Sequence, residues 1–106
     1  MPDLLYTPSR PVSPLPAAVG VAVSITHTCA RTADSAVWCW GGNQFSELGV
    51  APATDRHYVP TEVPGLRGVV ELALGTFFSC ARKDDGSVVC WGRYFGGAEP
   101  RPVRGL

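Results

Sequence analysis

The stretch CARKDDGSVVCWG, residues 80–92, decides how the chain is read. Two cysteines stand ten positions apart, with Asp-Asp-Gly midway between them and Trp-Gly directly after the second. Taking Asp84-Asp85-Gly86 as a three-residue hairpin loop, with a left-handed glycine closing a bulge, Lys83 pairs with Ser87, Arg82 with Val88, Ala81 with Val89 and Cys80 with Cys90. If Lys83 and Ser87 are the first hydrogen-bonded pair, the cysteines occupy a non-hydrogen-bonded site. Their Cα atoms are then about 4.5 Å apart, at the short edge of the disulfide range.

Working outward, the same pattern occurs twice. Shifting the sequence by 51 residues superposes Cys29 on Cys80, Cys39 on Cys90, Trp40 on Trp91 and Gly41 on Gly92, within twelve identities over thirty gapless positions, residues 12–41 against 63–92. The chain therefore contains two copies of one unit. Residues 1–11 form a proline-rich lead-in, residues 12–62 the first unit and residues 63–102 the second. Val103-Arg104-Gly105-Leu106, matching Val63-Pro64-Gly65-Leu66, begins a third. After Cys-Trp-Gly the copies diverge: the first continues through a long segment containing Asn43 to Gly49, the second through the shorter Arg93 to Pro102.

Each unit reads as strands and turns. Val19, Val21 and Val23, like Val70, Leu72 and Leu74, alternate with smaller or polar residues at the period of a half-buried strand. Glycine and proline together make 22 of 106 residues and fall between the apolar stretches. In the first unit Ser35 takes the turn position that Gly86 holds in the second, which predicts a strained left-handed serine there.

The pairing also weighs the chemistry of the cysteines. Zinc knuckles use Cys-x(2–4)-Cys, whereas both spacings here are ten, and neither His27 nor His57 recurs in the second unit. Thioredoxin-like redox chemistry needs Cys-x-x-Cys. Structural bridges, Cys29 to Cys39 and Cys80 to Cys90, then stand ahead of reduced core cysteines. Bridges imply an oxidising compartment, extracellular or periplasmic, yet the first residues show no signal-peptide pattern. The two agree if the chain is a piece of something longer.

Nine basic and nine acidic residues cancel, and the arginines form no run, so nothing points to nucleic acid. No window approaches the roughly 20 apolar residues of a membrane-spanning helix. The glycine-rich segments lack a phosphate-loop ending, and no cofactor motif is visible. Neither a nucleophile elbow nor a convergent catalytic set is recognisable, so the chain reads as a non-enzyme. His27 is read as a hydrogen-bonded structural residue and His57 as a solvated loop residue.

The order Val-x-Gly-Leu, an alternating strand, Cys-Ala, then Asp-Gly-Ser-Val-x-Cys-Trp-Gly resembles the regulator of chromosome condensation (RCC1) repeat. It is most similar to the cysteine-paired bacterial variety, which carries a segment like His27-Thr28-Cys29-Ala30. Ser24, Phe77-Phe78-Ser79 and Tyr94-Phe95-Gly96-Gly97 depart from the family pattern. The resemblance implies an all-β fold of antiparallel hairpins: two blades of a seven-bladed propeller, each repeat supplying about one four-stranded blade. Two blades cannot close that ring, so the expectation is a fragment of a longer propeller, with self-association of short protomers as the alternative.

The same resemblance implies a protein-protein interaction module with an unknown protein partner, or alternatively an exchange regulator of a small GTPase. Aromatic residues anchor interfaces. Those in the variable segments, Phe45, Tyr58, Tyr94 and Phe95, are the candidate partner contacts, and Trp40 and Trp91 are read as blade core.

Overall fold

The computed structural model describes residues 15–50 and 54–103. The lead-in of residues 1–11 and residues 104–106 of the third unit lie outside the described residues. Eight strands follow in order: β1 (Ala18–Val23), β2 (His27–Thr32), β3 (Val37–Asn43), β4 (Thr54–Glu62), β5 (Val69–Gly75), β6 (Phe78–Lys83), β7 (Val88–Gly92) and β8 (Gly97–Pro102). They form two four-stranded antiparallel meanders, β1–β4 and β5–β8, one per unit. Neighbouring strands in sequence are neighbours in space within each sheet, joined by short turns except for the ten-residue connection between β3 and β4.

The hairpin register counted outward from Asp85 is the one observed, with Arg82 opposite Val88 and Cys80 opposite Cys90. Lys83 N–H donates to Ser87 C=O at 2.8 Å, and Gly86, at φ 88°, donates to Lys83 C=O at 2.9 Å. Cys29 faces Cys39 in the same manner. Both cysteine pairs stand at disulfide distance, with Sγ atoms 2.12 Å apart and Cα atoms 4.1 Å apart.

Ser35 adopts φ 66°, as its place in the turn demands. Its Oγ accepts a 2.9 Å hydrogen bond from Gly68 N–H, and its carbonyl accepts from Val69 N–H. A residue that strains its own turn thus ties the first sheet to the start of the second.

The two sheets stack face to face. Residues opposite one another across a strand pair point to the same side, so Cys29, Val37 and Cys39 face the second sheet from the first. Leu72, Ala81, Val89 and Trp91 answer from the second. With Leu48, Val63, Leu66 and Val69 they make the buried core. The core is therefore the seam between blades, as expected of a repeat that cannot bury its faces alone.

One consequence differs from the sequence expectation. Trp91 is fully buried, but its counterpart Trp40 is half-buried, because no sheet among the described residues lies over the outer face of β1–β3. Val21 and Val23, on that face, are 63% and 69% exposed, while the equivalent Leu72 and Leu74 are partly buried against the core. His57 is a second difference. It lies in β4, opposite Gly41 and half-buried, rather than in a loop.

Each bridge closes the same length of chain, so its effect on the unfolded state is the same, at most about 3 kcal/mol by loop entropy. Cys29 and Cys39 are also sealed in the seam at zero exposure, whereas Cys80 is only half-buried. Replacing Cys29 and Cys39 by alanine should therefore cost more stability than replacing Cys80 and Cys90, through an added cavity. Urea unfolding of the two double variants, after a nonreducing peptide map has established the linkage, checks this; equal losses would contradict it.

Candidate interaction face

The β1–β2 and β5–β6 turns and the segments after β3 and β7 all emerge at one end of the sheets, by the up-and-down parity of the strands. At this end the longer segment of the first unit is built around Asn43. Its Oδ1 accepts from Leu48 N–H at 3.1 Å and its Nδ2 donates to Val50 C=O at 3.2 Å, while Ser46 N–H donates to Asn43 C=O. These bonds fold residues 43–50 into a compact turn that inserts Leu48 into the core. Gly49, at φ 80°, is required where it stands: a Cβ there would lie 2.8 Å from Val63.

The turn directs the backbone carbonyl of Glu47 at the second sheet. Trp91 Nε1–H donates to it at 2.8 Å and Ser79 Oγ–H at 2.7 Å, so both lone pairs of a buried acceptor are used. Gly92 makes the approach possible, since a Cβ there would lie 3.1 Å from Glu47 Cα and 2.7 Å from Phe77 O. The Trp-Gly that follows the second cysteine is thereby explained: one residue holds the neighbouring turn and the next leaves room for it.

His27 completes a relay across the seam. The single hydroxyl proton of Ser79 goes to Glu47 C=O, so at the 2.7 Å contact with Ser79 Oγ the donor is His27 Nε2–H. Nδ1 is then the unprotonated nitrogen and accepts from Thr26 Oγ1 at 2.8 Å; Thr26 Oγ1 in turn accepts from Phe77 N–H at 3.3 Å. The reading of His27 as a hydrogen-bonded structural residue matches this geometry. Glu47 Oε1 accepts from Phe45 N–H at 2.9 Å, and the carboxylate lines a small cleft with Thr26, Gly42, Arg56 and Phe77.

Above the relay lies an aromatic group drawn from both blades. Phe45 meets Phe77 edge to face at 4.8 Å between centroids. The Arg93 guanidinium stands over Phe45 at 4.9 Å, Tyr94 at 5.1 Å and Phe77 at 5.8 Å. Phe78 contacts Tyr94 at 6.4 Å and Phe95 at 5.7 Å. Phe77 and Tyr94 hold left-handed backbones, at φ 72° and 77°, an uncommon conformation for bulky residues. Tyr94 is 74% exposed and Arg93 is exposed.

Three of the four aromatic residues singled out in the sequence, Phe45, Tyr94 and Phe95, thus come together. Tyr58 does not join them; it projects from β4 at 84% exposure, with Arg56 at 6.0 Å from its ring. Sequence reasoning did not assign Phe77, Phe78 or Arg93 to a site. The signal was their alignment, 51 residues on, with Thr26 of the β1–β2 turn, His27 at the start of β2 and Gly42 near the end of β3, which strand parity places at the same end.

Two stacked four-stranded meanders built from one sequence unit define this as a pair of adjacent β-propeller blades. The pattern described as the regulator of chromosome condensation (RCC1) repeat matches residues 34–82, a second of the same description matches residues 18–47, and the chain belongs to that family. Protein pim1 of Schizosaccharomyces pombe is 33% identical over 79 residues, covering 62% of this chain and 15% of that protein. Human E3 ubiquitin-protein ligase HERC2 is 35% identical over 69 residues, covering 63% of this chain and 1% of the ligase. The chain thus spans 15% or less of the length of these curated relatives. Prp20p from Saccharomyces cerevisiae, whose structure was described with its binding properties to Gsp1p and histones, superposes with a TM-score of 0.70 at 22% identity, over 84% of this chain and 27% of that one. That likeness establishes the fold.

Burial holds the His27 imidazole down from 6.5 to about 4. A neutral buried histidine stabilises the fold fully above its unfolded value, and that contribution is lost as pH falls from about 6.5 toward 4, up to about 3 kcal/mol. Stability to urea should therefore decline across this window. The conservative variant His27→Gln should flatten the decline while lowering stability at pH 7. An unchanged profile in the variant would show that other groups carry the acid sensitivity.

Proposed function

We propose that the chain is a non-catalytic protein-protein interaction module, two blades of a longer RCC1-type propeller, that binds its partner through the Arg93 aromatic group. The observation that carries this is the convergence of Phe45, Phe77, Tyr94 and Arg93 from both blades onto one exposed end. Aromatic and arginine side chains dominate the energetics of protein interfaces. Here two of the rings stand on strained backbone, which stable folds retain most often where function needs it.

The chemistry of the face defines its partner. The rings offer apolar area, and the exposed Arg93 guanidinium makes no hydrogen bond among the described residues, leaving its fork for a carboxylate. The matching surface carries an apolar anchor beside an acidic side chain. The paired cysteines support an oxidising compartment, extracellular or periplasmic, as the setting. Exchange of a nucleotide on a small GTPase is the competing role, and a nucleotide-release assay against a GTPase panel separates the two.

Tyr94→Asn is the informative substitution, because asparagine tolerates the left-handed backbone and only the ring is lost. Affinity capture should recover a protein that binds the parent chain and binds this variant, or Arg93→Ala, about tenfold or more weakly, a loss of about 1.4 kcal/mol or more. Thermal stability should be unchanged in both. A partner that binds both variants as tightly as the parent would place the interface elsewhere, with Tyr58 the next residue to replace.

A further inference from the structure

Gly42 marks a space that the second unit fills. Its N–H donates to Thr26 C=O at 2.8 Å, as Arg93 N–H, 51 residues on, donates to Phe77 C=O at 2.9 Å. The two positions are equivalent, yet one carries a guanidinium and the other no side chain. The backbone does not require a glycine here, because Gly42 lies outside the left-handed region. A Cβ at Gly42 would stand 3.0 Å from Thr26 O and 3.7 Å from Glu47 Oε2, so the missing side chain leaves open the point between these two oxygens.

Glu47 itself is fully buried. Its Oε1 accepts from Phe45 N–H, and its Oε2 has no hydrogen-bond partner among the described residues. A buried charged oxygen without a donor is costly, and a fold keeps one most readily where something outside supplies the donor. The cleft over it holds about 150 Å³. Thr26, Gly42 and Glu47 are held there by the hydrogen bonds above, whereas Gln44 and Arg56, its exposed lining residues, can change rotamer to admit a ligand.

We propose that this cleft receives a primary ammonium group, the head of a lysine side chain on the partner protein. The source of the lysine rests on the interface reading above, while the chemistry of the cleft stands on its own geometry. A carboxylate oxygen and a carbonyl oxygen converge on a space one heavy atom wide, which suits a compact charge with several N–H bonds. Calcium or magnesium would need about six oxygens, and no group of three metal-ligating side chains occurs among the described residues. The alkyl stem packs along Ile25 and Phe77, which line the same cleft. Arg56 makes no ion pair with the carboxylate; its guanidinium stands over the Tyr58 ring at 6.0 Å. Phe77 lines the cleft and also contacts Arg93, so the lysine and the carboxylate that meets Arg93 stand close together on the partner.

The probe is n-butylammonium chloride, titrated into the 106-residue chain at fixed ionic strength and followed by NMR at the Gly42 and Phe45 amides. Saturable shifts are expected. Tetramethylammonium chloride, which has the same charge but no N–H to donate, should give none. Glu47→Gln keeps an acceptor for Phe45 N–H and the backbone carbonyl of the seam, and should weaken butylammonium binding about tenfold or more with no fall in thermal midpoint. Arg56→Gln should not weaken it.

The inference is overturned if butylammonium gives no saturable shift, if tetramethylammonium matches it, or if Glu47→Gln binds as tightly as the parent chain. Binding that appears only in Arg56→Gln overturns it as well, because Arg56 is then the carboxylate's own partner. If Glu47→Gln does not fold, the contrast between the two salts in the parent chain decides. Affinity capture separates this inference from the interface reading. A partner lost with Arg93→Ala but held at full affinity by Glu47→Gln overturns the lysine assignment while the interface stands; a partner indifferent to Arg93 and Tyr94 overturns the interface while butylammonium binding upholds the cleft.

Discussion

One backbone carbonyl carries the architecture. Glu47 C=O receives Trp91 Nε1–H and Ser79 Oγ–H from the neighbouring sheet, in a region closed to water. Each of those groups would be costly to bury alone, so the arrangement works as a unit: carbonyl, indole and hydroxyl must arrive together. The features around it follow from that requirement. Asn43 shapes the turn that presents the carbonyl, Gly92 leaves space for its approach, and His27 supplies Ser79 with the donor its second role needs. Hydrophobic burial between the sheets provides most of the driving force, but it does not select a register. The hydrogen bonds do.

Because the seam has a donor side and an acceptor side, two copies of one sequence unit acquire different roles. The acceptor turn of the first blade is engaged within the chain. The second blade has exchanged it for a four-residue turn, a phenylalanine at the histidine position and rings that reach toward solvent. Local rules of the repeat are broken at this point, and such departures are expected where a fold has been given a task. The same substitutions that remove an acceptor from one face build the aromatic group at the end of the seam.

The strand pattern and hairpin register were legible because they are local. Alternation marks a face, a turn glycine fixes a centre, and pairing follows by counting from Asp85, so Cys80 opposite Cys90 required no tertiary information. What alternation could not say was which apolar face would be covered: Val21 and Leu72 are equivalent in sequence and differ in exposure because, among the described residues, only the second has a sheet over it. His57 reads as a loop residue in the sequence because Asp55, Arg56 and Tyr58 flank it. β4 is an edge strand, where a proline and exposed polar residues are tolerated. The relay was invisible because it joins Thr26, His27, Glu47, Ser79 and Trp91 across sequence separations of up to 52 residues, with no motif of its own.

The aromatic face also gains from where it is anchored. Phe77 closes the β5–β6 turn, and its N–H is held by Thr26 Oγ1 while its carbonyl accepts from Arg93 N–H. Arg93 and Tyr94 leave β7 directly after Gly92, which the Glu47 turn fixes. The rings therefore stand on backbone already committed to the seam. Side chains ordered before binding lose less entropy when a partner arrives, so a small rigid patch can contribute more per unit area than a flexible loop of the same composition. A change that loosens the Glu47 carbonyl should then loosen the aromatic face without touching any of its residues, because it releases the backbone on which the rings are mounted.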